Sequence, residues 1–263
     1  MRPTTILPFL PLTVLAVDKT SNPSLVASLK TAATAHDRLS LLPGTTSWTF
    51  DFTTQPNSHF SPGGVINANA ATFPAVTGNG MTMAMINLGP CSQLPPHFHA
   101  RASNYVVSIH GDIQTYMIGE NGSPTIGALL KPGQMTIFPQ GAPHTMWNPG
   151  CENAQLVSAL SNEDPGTMNL ANALFQFGDE DEELVNAAFG YQDVVNGGSK
   201  GKVPPSGSGA VYGPKSCLER CKKVNGGKAP EETWGMSKGE FNYDAGEGQV
   251  KRRDGFARYG RAM

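Results

Sequence analysis

From Trp48 to Ser161 the chain breaks into short apolar or alternating runs, each bounded by Gly, Pro, Asn or Ser. Eight such runs can be marked: Trp48–Phe52, Ala70–Phe73, Met81–Leu88, Tyr105–Ile109, Ile113–Ile118, Met135–Phe138, His144–Asn148 and Gln155–Ala159. Runs of this length suit strands rather than helices, and turn signals at such close spacing predict an all-β sandwich or barrel. Composition agrees. Gly (30) and Pro (21) are abundant among 263 residues, while charged residues make up only 15%, against ~25% in an average soluble domain.

The flanks differ from this central region. Residues 1–16 combine one cation, a short apolar stretch and the pattern Val14-Leu15-Ala16, which predicts a secretory signal peptide. Residues 17–45 form an N-terminal helical segment: Ser21-Asn22-Pro23 is a helix start, and Leu25, Leu29, Ala32 and Ala33 follow at helical spacing. The barrel is assigned to residues 46–195, with a helix over Asp179–Phe189 whose acidic first turn complements the helix dipole. Residues 196–263 are read as a Gly/Pro-rich linker, a short helix around Cys217–Cys221, and a basic, flexible tail.

The net charge of -2 is a sum of unlike parts. Residues 1–200 hold 7 Lys and Arg against 14 Asp and Glu, and residues 201–263 hold 12 against 7. Neither total suggests a nucleic-acid partner. No apolar run reaches the ~20 residues of a membrane span. The four cysteines, Cys91, Cys151, Cys217 and Cys221, fit an extracellular protein and leave three disulfide pairings open. If the segment is helical, Cys217 and Cys221 lie one turn apart, each better placed to bridge a distant cysteine than its neighbour.

Candidate chemistry gathers in two stretches, Pro95–Ser103 with Asn104, and Gly133–Asn148. In the first, His97 and His99 are two apart, so on a strand both imidazoles share a face, about 7 Å apart along the chain. An isolated pair of this kind is more often a hydrogen-bonded core or surface pair. A third imidazole, His144, from a facing strand completes a three-nitrogen face suited to a divalent transition metal, with positions left for substrate or water. Phe98, Met83, Met85, Met135, Met146 and Trp147 are assigned to the barrel interior or its walls, and Asn148 to a turn. No nucleophile elbow or phosphate-binding loop appears.

The second stretch matches the spacing G-x5-P-x-G-x2-H-x3-N at Gly133, Pro139, Gly141, His144 and Asn148, which resembles the second signature of the cupin family. The first signature, H-x-H-x4-E-x6-G, is matched at His97, His99 and Gly111 but holds Asn104 where the family has glutamate. Asn69-Ala70-Ala71-Thr72-Phe73-Pro74 and Asn162–Gly166 further resemble germins and the spherulin-like secreted cupins of fungi and slime moulds. The resemblance implies a single jelly-roll β-barrel with flanking short helices and a metal in its mouth. It implies Mn first, with Cu, Fe or Zn as alternatives, held by His97, His99 and His144. It also implies a small-molecule substrate, a homo-oligomer, and activities such as oxalate oxidase, superoxide dismutase or dioxygenase. Alternatives are a storage, wall-associated or stress-related binding protein, and an isomerase or cyclase that uses the cavity. Asn104 is neutral and one methylene shorter than glutamate, so the site leans away from Mn towards imidazole-preferring ions. Asn104 is expected to orient water or substrate, and Arg101 to steer an anion.

Overall fold

The computed structural model describes residues 18–196, 203 and 209–228. The expected signal peptide at residues 1–16 and the tail beyond residue 228 lie outside the described residues. Among those described, no helix is long and apolar enough to cross a membrane.

The N-terminal segment forms two helices, α1 (Pro23–Thr31) and α2 (Ala35–Leu41), where a single helix was expected. Asn22 caps α1 by accepting from the Leu25 amide, and Thr34 caps α2 by accepting from the Asp37 amide. That second cap is why the chain restarts rather than continues. Leu29 and Leu42 pack with Ala75, seating the helices on the body.

Two sheets follow. Their strands are β1 (Gly63–Ala68), β2 (Thr82–Leu88), β3 (Ser92–His99), β4 (Asn104–His110), β5 (Ile113–Met117), β6 (Ile126–Leu130), β7 (Met135–Phe138), β8 (His144–Trp147), β9 (Ala154–Leu160) and β10 (Thr167–Asn169). Helices α3 (Leu170–Glu180) and α4 (Glu182–Ala188) come next, then β11 (Val211–Tyr212) and α5 (Lys215–Val224). One sheet runs β1-β2-β9-β4-β7; the other runs β10-β3-β8-β5-β6, with β11 also on β3. Every pairing between these strands is antiparallel. Ile86, Val106, Phe138 and Leu156 of the first sheet pack with Leu94, Ile113, Leu130 and Met146 of the second in one buried cluster. The fold is therefore all-β, of the jelly-roll type.

Two expected strands are not strands. Trp48–Phe52 falls between 3-10 turns at Thr45–Trp48 and Phe52–Thr54. There the Trp48 indole donates to the Leu42 carbonyl (3.0 Å) and Asp51 accepts from the Thr53 amide. Ala70–Phe73 is a turn, because Asn69 Oδ1 accepts from the amides of Ala71 and Thr72. The strand of that region is β1, which opens on Gly63-Gly64. A side chain at Gly63 would strike the Asn87 carbonyl, and one at Gly64 the Asn57 carbonyl. The acidic run also divides: Asp179 and Glu180 end α3, and Asp181 caps α4 by accepting from the Leu184 amide.

Both faces of the first sheet are mixed. Its inner face carries Thr82, Asn104, Ser108 and Ser158, all buried, whereas Met83, Tyr105, Met135 and Ile137 are exposed outside. Of the residues expected in the interior or the walls, Met83 and Met135 stand on the exposed outer face, and Met146 is fully buried.

The stretch read as linker contributes β11, whose Val211 and Tyr212 pair with Gln93 and Ser92. Helix α5 is held by two disulfides, Cys91–Cys217 and Cys151–Cys221. One helix therefore bridges the β2–β3 turn and the β8–β9 turn. Asn148 ties the same turns together, donating to the carbonyls of Leu88, Gly89 and Glu152.

Leu156 is fully buried between the sheets. Leu156→Ala is expected to lower stability by about 2–5 kcal/mol, measured as the change in urea midpoint at unchanged slope.

Candidate metal centre

Strand β3 carries the two nearby histidines. Pro95 and Pro96 precede them, and the β3–β8 register shifts between Leu94 and His97, so Leu94 faces Met146 and His97 faces His144. A proline supplies no amide to the ladder, and the strand bulges there. Beyond the bulge, His97 and His99 point inward while Phe98 is only partly buried. Strand β8 delivers His144 from the neighbouring position, and β10 closes the other side, pairing Asn169 with His97 and Thr167 with His99.

The three rings form a compact triangle. Centroid separations are 4.4 Å for His97–His144 and 5.3 Å for both His97–His99 and His99–His144. One ring nitrogen from each lies within 4.8 Å of the others. Each Nδ1 faces a backbone carbonyl: Pro95 at 2.8 Å from His97, Gly166 at 3.1 Å from His99, and Ala142 at 2.9 Å from His144. A carbonyl only accepts, so each Nδ1 carries the proton and donates, which leaves each Nε2 as an acceptor: that of His99 faces the Asn104 amide nitrogen and that of His144 has no partner. Phe138 stacks on the His144 ring at 4.1 Å and fixes its plane.

Burial keeps the imidazoles neutral. Exposures are 5% for His97, 8% for His99 and 3% for His144. Desolvation, with the charge of the neighbouring imidazoles added, pushes His99 down to about 4 and His144 down to about 3; burial lowers His97 too. Neutral imidazoles are the form that ligates a metal.

Asn104 opens β4 beside the triangle, 2% exposed, its Nδ2 3.4 Å from His99 Nε2. Its Oδ1 has no hydrogen-bond partner, and neither does His144 Nε2. Buried polar atoms without partners are rare in folded proteins. Here the unpartnered atoms belong to adjacent side chains and are acceptors, the donor set a divalent cation requires. The residues present therefore fit a metal ion.

Arg101 stands elsewhere. Its guanidinium pairs with the Asp164 carboxylate (2.8 Å), and its Nε donates to the Asp164 carbonyl (2.8 Å). It lies across Gly166, where a Cβ would meet the guanidinium and where φ is +65°, a conformation glycine adopts freely. Arg101 thus braces the loop whose Gly166 carbonyl holds His99. Sequence reasoning did not single out Thr167, whose hydroxyl lies 3.2 Å from His99 Nδ1, or the stacked Phe138. The Asp-Pro-Gly turn before Thr167 was the available signal for that loop.

The depressed imidazole values set a pH dependence. Unfolded histidines protonate near 6.5 and the buried ones only near 4 or below. Between those values the unfolded chain binds more protons, so folding free energy falls as pH falls. Chelator-treated protein is therefore expected to lose denaturation midpoint from about pH 6.5 down to about pH 5, above the carboxylate range. A midpoint that stays flat there contradicts buried neutral imidazoles.

A family model described as Cupin matches residues 52–196. Spherulin-1A of Physarum polycephalum is 30% identical over 206 residues, covering 76% of this chain and 80% of its own. Germin-like protein 4-1 of Oryza sativa subsp. japonica is 33% identical over 126 residues, with 43% of this chain and 50% of its own length covered. Among solved structures, recombinant oxalate oxidase in complex with glycolate superposes with a TM-score of 0.51 at 22% identity, over 61% of this chain and 80% of its own; that likeness is one of fold. The motif spacing, the two-sheet architecture and these matches agree: the chain belongs to the cupin family, alongside the spherulins and germin-like proteins.

Proposed function

We propose that this chain is a metal-dependent oxidoreductase that binds one divalent transition-metal ion through the Nε2 atoms of His97, His99 and His144. The observation that carries the reading is the convergence of three neutral imidazoles, each with its Nδ1 proton tied to a carbonyl, with His144 Nε2 unpartnered and Asn104 beside His99. When bound, such an ion supplies Lewis acidity and, for a redox-active metal, an electron-transfer centre.

The chain's own residues set the rest. The carbonyls of Pro95, Ala142 and Gly166 orient the ligands. Arg101 acts on His99 through the Gly166 loop, a positioning role rather than direct contact with an anion. Asn104 offers a neutral amide where the family signature has glutamate, so the site lacks one anionic oxygen. Mn2+ is the metal that the family resemblance favours, and this substitution moves the balance towards Cu2+ or Zn2+. With every ligand under a tenth exposed, the substrate is a small molecule. Oxalate is the first candidate and superoxide the second, both taken from the resemblance to the germins. The two disulfides suit an oxidising compartment, and with the N-terminal apolar stretch they support secretion.

The missing carboxylate favours one second reading, a spherulin-like protein that binds metal without turnover. Elemental analysis of protein purified without added metal tests both. Near-stoichiometric metal is expected, and His97→Ala lowers it by about tenfold or more. Metal content unaffected by His97→Ala sinks the site. Stoichiometric metal with no oxalate- or superoxide-dependent turnover selects the binding reading. Asn104→Glu is expected to raise Mn2+ affinity, measured by competition against Zn2+; an unchanged ratio shows that Asn104 does not face the ion.

A further inference from the structure

A second cluster of ligand-type atoms lies at the far turns of the sheets. The two disulfides are not separate staples. Cys91 Sγ of one lies 3.5 Å from Cys221 Sγ of the other. The Sγ atoms of Cys91, Cys217 and Cys221 all lie within 4.8 Å of one another, and Cys151 is bonded to Cys221. Cys91, Cys217 and Cys221 are 0%, 2% and 0% exposed. Three sulfurs therefore lie in one buried knot, two from successive turns of α5 and one from the β2–β3 turn, with half-buried Cys151 of the β8–β9 turn bonded at its edge.

The scaffold that gathers them does not consist of the disulfides alone. Asn148 links the β2–β3 and β8–β9 turns through three carbonyls. The Cys91 amide donates to the Gly150 carbonyl (3.2 Å), and the Gly213 amide, just ahead of α5, donates to the Cys91 carbonyl (2.6 Å). Strand β11 pairs with β3 immediately beside Cys91. Arg220 places its guanidinium 3.3 Å from Cys217 Sγ and also donates to the Pro149 carbonyl. A fixed cation against a sulfur offsets negative charge there and favours the thiolate.

We propose that, once reduced, these four cysteines form a second metal site: a tetrahedral four-thiolate site for Zn2+ or a similarly soft divalent ion. Zn–S bonds of about 2.3 Å in a tetrahedron put sulfurs roughly 3.8 Å apart. The Cys91–Cys221 separation is already near that value; the two bonded pairs must part, and Cys151, at the edge of the group, must draw in. The redox step needs a dithiol reductant. Each protein disulfide accepts two electrons and two protons from one dithiol, which closes to its own disulfide. The four thiols then bind Zn2+ and release four protons, leaving a complex of charge -2 beside Arg220. The metal keeps α5 docked where no oxidant is at hand, and oxidation replaces it with the two disulfides.

The test compares two states of the full chain, one oxidised and one reduced with dithiol and freed of it anaerobically. Each is titrated with Co2+ as the probe and then with Zn2+. The reduced chain is expected to take one more equivalent than the oxidised chain, with thiolate-to-cobalt charge-transfer absorption that the oxidised chain lacks. One equivalent of Zn2+ removes that absorption and slows iodoacetamide alkylation of the cysteines by roughly tenfold or more. In reduced Cys151→Ser the band weakens and the protection falls. Equal metal uptake in both states overturns the proposal. So does alkylation at one rate with and without Zn2+, whether or not the reduced chain stays folded. The band reports sulfur ligation only, so its absence leaves the imidazole site untouched, and its presence does not depend on it.

Discussion

The pairing of β3 with β8 is the constraint on which the functional end of this molecule depends. Leu94 against Met146 sets the register on the core side, and His97 against His144 sets it beyond the bulge at Pro95-Pro96. Because strand side chains alternate, a slip of one residue would turn both imidazoles of β3 away from the interior. The same strand also carries β10 and β11 along its other edge. One central strand therefore orients His97 and His99, receives the Gly166–Thr167 loop that fixes His99, and holds the segment leading to α5.

The interior of the first sheet shows what the barrel was arranged to enclose. An antiparallel sheet with one wet face normally puts its polar residues outside. Here Asn104, Ser108 and Ser158 face in, while Met83, Tyr105, Met135 and Ile137 face out. Apolar packing by Val106, Phe138 and Leu156 lowers the dielectric around the inward polar groups, which strengthens their interaction with a cation and raises the cost of leaving them unpaired. The depressed imidazole values of His99 and His144 express that environment. So does Asn104: a buried glutamate at that position carries a charge that the bound ion must neutralise, whereas the amide carries none.

At the opposite turns, sulfur takes over the task that hydrogen bonds perform around the imidazoles. Asn148, the last position of the second cupin signature, does not approach the imidazoles but clamps two turns. Those turns present Cys91 and Cys151 to α5. The motif therefore serves both ends of the molecule: His144 begins β8 at the imidazole cluster, and Asn148, just past its end, clamps the turns that carry Cys91 and Cys151.

Much of the candidate site was legible in the chain. Two imidazoles on alternate positions of a strand share a face by geometry alone, and the turn residues Gly133, Pro139 and Gly141 announce the turns on either side of β7, the second of which leads the chain to His144 in the other sheet. Strands β2, β4, β5, β7, β8 and β9 were legible because their apolar runs lie between strong turn signals. Strand β1 was hidden by its glycines, and Trp48–Phe52 was misleading because its aromatic residues pack from 3-10 turns. Alternation showed that the strands have two faces but not which face is inside, since both faces carry large apolar residues. The sequence by itself determined the three candidate imidazoles, the departure at Asn104 and the all-β class, because these follow from residue identity and local spacing. The tertiary structure alone decided that Arg101 braces a loop, that Gly166 and Thr167 hold His99, and which cysteines pair. Those outcomes depend on contacts between residues some 60 to 130 positions apart along the chain, and only folding brings such residues within bonding distance.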